Sequence, residues 1–233
     1  RHASLKLLAS SKASLPEHEL LRLVRDPHPA VADLAAKMLV GKLTSEEMGR
    51  HLDLLLSAPH PAVRERLLTA AVSRGVPGIQ PKLLVALNDS ARRVRQVAQF
   101  HLRKELAVDV AAHYLDQIPR SSGKRLAVAL EGLGEASTSD HGHVALPFIS
   151  TGHPVPVRIA ALGLWARSSG AASSTLVTEL LRDASPAVVK ATAYLVRRRT
   201  LTVPTEVLEE LALISPAPHV GEAALRLLLT RGK

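Results

Sequence analysis

Apolar residues recur along the chain at the spacing of amphipathic helices, and the pattern itself repeats. With Val31 as an anchor, equivalent positions follow at intervals of 31 or 32 residues. These anchors are Val31, Val63, Val94, Leu126, Val157, Val188 and Val220. After each anchor, offsets +4, +7 and +8 are mostly small or apolar, which predicts one buried face of a helix with a period of 3.6 residues. The residues at +4 are Ala35, Leu67, Ala98, Leu130, Ala161, Thr192 and Ala224.

A similar turn precedes several of these helices and predicts where they begin. The segments 26–31 (DPHPAV), 58–63 (APHPAV) and 183–188 (DASPAV) share it. Pro29 suits the first turn of a helix, where a backbone N–H is not needed. Asp26 is expected to accept backbone N–H bonds at the turn. Thr44 and Glu47 have the spacing of a capping box.

The pattern predicts seven two-helix repeats and a partial one. We expect full repeats at about 16–42, 44–75, 77–104, 107–135, 140–167, 172–199 and 203–230, after a partial repeat at 1–12. The partial repeat suggests that the chain was cut from something longer. One repeat would bury about ten apolar side chains at ~2 kcal/mol each, whereas ordering ~30 residues costs ~1 to 2 kcal/mol apiece. Since a lone repeat is unstable, stacking predicts a single all-α domain, a right-handed α-solenoid.

The turn and second helix resemble the HEAT repeat family, including its short prokaryotic form with the pattern D-x-x-P-x-V-R-x-x-A. The matching residues are Asp26, Pro29, Val31, Ala35, Pro61, Val63, Arg64, Asp89, Val94, Arg95, Ala98, Val157, Arg158, Ala161, Asp183, Pro186 and Val188. The resemblance implies that first helices form a convex side and second helices a concave side. It also implies that Arg64, Arg95 and Arg158 pair with turn aspartates of neighbouring repeats.

Offsets +2, +6 and +9 of each second helix are expected to face solvent on the concave side. The middle of this predicted surface is small and apolar, and aromatic and arginine residues border it, as at protein-binding surfaces. The candidate partner-binding residues are Phe100, Arg103, Val128, Ile159, Tyr194 and Arg197. The leading interpretation is therefore a non-catalytic scaffold for a protein or peptide. Alternatively, a tightly curled array would cover these positions with neighbouring repeats.

The charge balance supports a second interpretation. Lys and Arg number 30 against 21 Asp and Glu, a net charge of +9, which favours attraction to polyanions. A nucleic-acid-binding module would use the basic residues Arg92, Arg93, Lys124, Arg125, Arg197 and Arg198, with salt-dependent contacts to phosphates. The competing interpretation is structural, because arginine and lysine at helix ends also complement the helix dipole.

Catalytic and metal chemistry receive little support, and we expect neither an enzyme nor a cofactor. The chain has no cysteine, which excludes disulfides, thiolate metal sites and a cysteine nucleophile. His141 and His143 beside Asp140, with His153 nearby, are candidate metal ligands, but such loop histidines are usually solvated. Alkylpurine DNA glycosylases with HEAT-like repeats are a remote comparison. Resemblance to them would imply a concave cleft lined by aromatic side chains. Here Trp165 is the only tryptophan, and its +8 offset predicts burial. No run of ~20 apolar residues is present, and we expect a cytoplasmic protein.

Overall fold

A computed structural model describes residues 15–136, 141–168, 174–198 and 200–231. The partial repeat predicted at 1–12 lies outside these residues. The described residues form fourteen α-helices and two short 3-10 helices, with no strand among them. The α-helices are α1 (Glu17–Leu23), α2 (Pro29–Lys42), α3 (Ser45–Leu56), α4 (Pro61–Ser73), α5 (Ile79–Ala86), α6 (Arg92–Leu106), α7 (Val110–Gln117), α8 (Gly123–Ala136), α9 (Gly142–Ala145), α10 (Val155–Ser168), α11 (Ser174–Leu181), α12 (Pro186–Arg197), α13 (Thr205–Ile214) and α14 (Pro218–Arg231). The 3-10 helices are Ile118–Arg120 and Leu146–Phe148.

The helices divide into two compact units, Arg1–Val110 and Ala111–Lys233. In unit 1, each helix of the pairs α1 and α2, α3 and α4, and α5 and α6 packs against the other. The second helices α2, α4 and α6 also pack on one another in chain order. Unit 1 is therefore an array of sequential helix pairs.

Unit 2 follows the same scheme. Helices α9, α11 and α13 pack against the helices that follow them, α10, α12 and α14. The second helices α8, α10, α12 and α14 form a continuous series of neighbours, in which α8 and α10 have the most extensive contact. The 3-10 helix Ile118–Arg120 takes part by packing on α8. Both units are thus all-α arrays with mostly sequential contacts.

The predicted turn chemistry is confirmed at three turns. Each turn aspartate accepts the backbone N–H of the residue two positions later at 2.8 Å, as Asp26 does from His28. Asp89 accepts from Ala91 and Asp183 from Ser185 in the same way. The predicted capping box is confirmed as well, because Thr44 Oγ1 accepts the N–H of Glu47 at 3.2 Å and Glu47 Oε2 accepts the N–H of Thr44 at 2.8 Å.

The predicted apolar face agrees well with burial in both units. All seven residues at offset +4 are buried, including the polar Thr192, whose hydroxyl donates to the Val188 carbonyl at 2.9 Å. At +7 and +8 the residues are buried or partly buried. Trp165 is 6% exposed, so its predicted burial is confirmed.

The predicted solvent-facing positions are wrong at three residues of unit 2. Val128 is only 8% exposed, and Gly132 and Ala166 are also buried. Tyr114 of α7 is completely buried and lies against Gly132, where an added Cβ would come 2.2 Å from the ring. The first helix of this pair therefore covers part of the face that the periodicity assigned to solvent.

Across the described residues, none of the helices combines the length and apolarity that a membrane span requires.

Candidate functional site

Two arginine residues that follow an anchor by one position join consecutive turns, as the resemblance implied. In unit 1, Arg64 donates from Nε and Nη2 to the two carboxylate oxygens of Asp89, each at 2.7 Å. In unit 2, Arg158 bonds both oxygens of Asp183, with its Nη1 at 3.2 Å from Oδ1. Both pairs span 25 residues and fix one turn against the next. Arg64 and Arg158 are therefore structural residues.

Arg95 occupies the same position after its anchor, but the turn that follows differs in sequence. The position that follows Asp89 by one period is Ser121, a serine in place of the turn aspartate. Arg95 is 1% exposed and donates from Nη1 to the carbonyls of Asp89 at 2.9 Å and Ser90 at 3.2 Å. These bonds attach the buried Arg95 side chain to the backbone of its own turn.

The environment of Asp183 favours its ionised form. Burial of the carboxyl opposes ionisation, but the bonds from Arg158 and from the Ser185 N–H outweigh it, so its pKa lies below the ordinary value. His219 Nε2 donates to the Asp183 carbonyl at 3.1 Å, which ties the following turn to this one. His60 makes the equivalent bond to the Asp26 carbonyl at 2.9 Å in unit 1. Turn histidines thus have a structural role in both units.

The predicted concave face of unit 1 carries ion pairs between neighbouring second helices. Arg66 Nη2 lies 2.9 Å from Asp33 Oδ1. Arg93 Nε pairs with Glu65. Arg93, a candidate for phosphate contact, therefore already has a carboxylate partner. Together with Arg92 it lines a shallow groove of about 650 Å³ beside the N-terminal turns of α2 and α4.

Phe100 and Arg103 lie on α6 of unit 1. Phe100 is 52% exposed, and the Lys104 ammonium lies 5.1 Å from the centre of its ring. Arg103 is exposed and donates from Nε to the Gln99 carbonyl at 3.3 Å. This surface presents one aromatic ring with a cation over it.

An open cleft of about 570 Å³ lies between α12 and α14 in unit 2. The residues at offsets +2, +6 and +9 of both helices line it. These six are Lys190, Tyr194, Arg197, Glu222, Arg226 and Leu229, and all are exposed. At this end of unit 2 the predicted solvent-facing face is confirmed. The structure places Tyr194 and Arg197 together there, with the Arg197 guanidinium 5.7 Å from the centre of the tyrosine ring.

The floor and ends of the cleft were not predicted from the sequence. Small or apolar side chains line the space between the two helices, namely Val189, Ala193, Ala223 and Leu227. Pro186, His219 and Thr230 complete the lining. Ala193 and Ala223 were the signal that could have revealed the cleft, because small residues on neighbouring helices leave room between longer flanking side chains. Tyr194 is 52% and Leu229 is 72% exposed, so the cleft offers apolar surface to a ligand.

The other candidate residues of unit 2 lie outside this cleft. Val128 on α8 is buried, and Ile159 on α10 is partly buried. Lys124 and Arg125 are exposed in the first turn of α8, and Arg198 is exposed just after α12. Of the predicted unit 2 residues, the cleft therefore brings together only Tyr194 and Arg197.

Metal ligands do not converge in the part of the chain that the structure covers. No group of three or more histidine, aspartate or glutamate side chains there could hold a metal ion. Asp140, from the suggested loop site, lies outside the described residues.

Burial lowers the pKa of His113, and the charge of Asp116 partly offsets this shift. Gln117 Nε2 lies 2.8 Å from His113 Nε2.

Comparisons with protein-family models, with curated proteins and with solved structures gave no match to this chain.

Proposed function

We propose that this protein is a non-catalytic scaffold of HEAT-type repeats that binds a protein or peptide on the face formed by its second helices. The observation that carries this proposal is the cleft between α12 and α14, which the six face residues line. The binding site consists of Tyr194, Arg197 and Leu229 around the alanine floor. The HEAT-type α-solenoid is part of the proposal and draws support from the Arg64–Asp89 and Arg158–Asp183 pairs.

Peptide binding fits the composition of this cleft. Protein-binding surfaces commonly centre on exposed tyrosine and arginine beside apolar side chains. Tyr194 and Arg197 supply both residue types at adjacent turns of one helix, and Leu229 adds an apolar side chain across the cleft. The cleft has a volume of about 570 Å³, which lies within the ~300–1,000 Å³ range of ordinary ligand sites. The cleft can therefore take a few side chains of a partner.

A selection experiment with peptides of random sequence tests the proposal. A phage-displayed peptide library is selected on the immobilised full chain, and enriched peptides are measured against an Ala223→Trp variant. The indole should fill the floor of the cleft and weaken binding at least about tenfold, equivalent to ~1.4 kcal/mol. Leu213→Trp is the matched control, because Leu213 is 85% exposed and lies outside the cleft.

Either of two outcomes of this experiment would count against the proposal. No peptide would be enriched over a bare support, or the enriched peptides would bind the Ala223→Trp and Leu213→Trp chains equally well. Circular dichroism of both variants establishes that they keep the helix content of the original chain.

Nucleic-acid binding is the second candidate, and the groove that Arg92 and Arg93 line in unit 1 favours it. In this alternative the exposed Lys124, Arg125, Arg197 and Arg198 add phosphate contacts from unit 2. Binding of a labelled duplex or single strand should then fall steeply as salt rises. Absence of binding at low salt would remove this candidate.

A further inference from the structure

Cationic side chains outnumber carboxylates around the cleft between α12 and α14. Lys190, Arg197 and Arg226 are cationic, and Glu222 is the one carboxylate among its described lining residues. Arg226 Nη2 lies 3.5 Å from Glu222 Oε2 on the same helix, so these two charges balance locally. Within the described part of the chain, Lys190 and Arg197 form no ion pair. A net positive charge therefore faces any ligand in the cleft.

The spacing along α12 places apolar surface between these two cations. Lys190 and Arg197 are seven residues apart, which is two helical turns or about 10 Å along the axis. Tyr194 lies between them, four residues after Lys190 and three before Arg197. The floor beside it is the small apolar surface of Ala193 and Ala223. The cleft thus has a cationic side chain toward each end and an apolar centre.

We propose that the occupant of this cleft is an acidic amphipathic helix of a partner protein, an inference that rests on the proposed function. The helix carries acidic residues at positions i and i+7 and apolar residues at i+3 and i+4. The apolar pair packs on Ala193 and Ala223, beside Tyr194, in the manner of helix-in-groove recognition. The two carboxylates accept charge-assisted hydrogen bonds from Lys190 and Arg197, which lie the same two turns apart.

Three synthetic helical peptides test the predicted chemistry on the full chain. The first has Glu at i and i+7 and Leu at i+3 and i+4. The second replaces both Glu residues with Lys, and the third replaces both Leu residues with Ser. Fluorescence anisotropy should show the first binding about tenfold tighter than either of the others, since each loses one part of the complementarity. The advantage over the Lys peptide should shrink as salt rises.

A chain with reversed charges tests directly whether Lys190 and Arg197 select the acidic peptide. The double variant Lys190→Glu, Arg197→Glu should reverse the order and bind the Lys peptide tighter than the Glu peptide. Arg198→Glu is the matched control, because Arg198 is exposed one residue further on but does not line the cleft. That variant should keep the original preference for the Glu peptide, and both variants should retain the helix content of the original chain.

The outcomes separate this inference from the proposed function. Suppose that Ala223→Trp abolishes the binding of library-selected peptides, but the Glu and Lys peptides bind the original chain with equal affinity. The proposed acidic occupant is then wrong, and the peptide-binding cleft stands. If a DNA oligonucleotide binds at low salt and the double variant abolishes its binding, whereas the Glu peptide does not bind, the cleft receives nucleic acid and the inference is overturned. Failure of every peptide, selected or synthetic, overturns both.

Discussion

Gly132 lies directly against the ring of Tyr114, so that a Cβ at position 132 would come within 2.2 Å of the tyrosine Cζ and 2.5 Å of its hydroxyl. Tyr114 is completely buried, and its ring has little room to move away. This contact between α7 and α8 explains why the face predicted at Gly132 is covered. The six exposed face residues of unit 2 lie further along the chain, at the cleft between α12 and α14.

Adding one methyl group at this contact should destabilise the protein. Gly132→Ala is expected to lower the free energy of unfolding by about 1–3 kcal/mol, as overpacking of a core does. Gly163→Ala is the control, because Gly163 occupies the same +6 position on α10 and a Cβ there meets nothing within 4 Å. The control should be stabilised by about 0.5–1 kcal/mol through helix propensity. Urea unfolding of both variants measures the difference, and equal stability of the two would refute the packing argument.

Removing an arginine from the buried ion pair should cost far more than removing one at the surface. The side chains of Arg158 and Asp183 are each 6% exposed, so Arg158→Met leaves a buried carboxylate without its guanidinium partner. We expect a loss of about 3 kcal/mol or more. Arg66→Met breaks the Arg66–Asp33 pair, in which both side chains are 41% exposed, and should cost less than about 1 kcal/mol. Urea unfolding compares the two variants, and similar losses would show that burial does not set the strength of these pairs.

Because the pKa of Asp183 is lowered, its contribution to the stability of the folded chain depends on pH in a defined direction. Because the pKa of this carboxyl is lower in the folded chain than in the unfolded chain, its stabilising effect is present above the unfolded pKa of about 3.9. The effect is lost as pH falls through the folded pKa. The stability difference between the original chain and Asp183→Asn should therefore be largest near neutral pH and shrink below about pH 4. A difference that stayed constant from about pH 7 to about pH 3 would contradict this assignment.

The capping box at the start of α3 should make a measurable contribution to stability. Thr44→Ala removes the hydroxyl that accepts the Glu47 N–H and should cost about 1 kcal/mol. Thr69→Ala is the comparison, because the Thr69 hydroxyl bonds only to the Glu65 carbonyl within an exposed part of α4. Alanine favours the helix interior, so this variant should be neutral or slightly more stable. Thermal unfolding of the two variants side by side distinguishes a cap from a general effect of losing threonine.

The sequence predicted the helices and their buried faces because periodicity is a local property. It placed Thr192 among the buried +4 residues despite its hydroxyl, and the structure agrees. The HEAT resemblance, in turn, implied the pairing of Arg64 and Arg158 with turn aspartates. Periodicity alone could not show that Tyr114, from a different helix, covers Gly132. Nor could it show that Arg95 makes backbone bonds within its own turn.

The lining of the cleft between α12 and α14 was predicted in part for a similar reason. The sequence predicts Tyr194 and Arg197 because they are aromatic and basic residues at the offsets +6 and +9. Ala193 and Ala223 were not predicted, since an alanine at a helix interface looks the same in a sequence whether it is packed or borders an opening. The depth of the cleft depends on the separation of α12 and α14, which only the folded chain defines.

Photo-cross-linking is the most direct test of whether the cleft between α12 and α14 receives a peptide. A library-selected peptide, or the Glu peptide, carries a photoreactive benzophenone side chain at its apolar position and is irradiated with the full chain. Mass spectrometry then locates the cross-linked residues. We expect labels within 186–197 and 218–230, and we expect these labels to be lost in Ala223→Trp. Labels in unit 1, or labels on α13 that persist in that variant, would contradict the proposal.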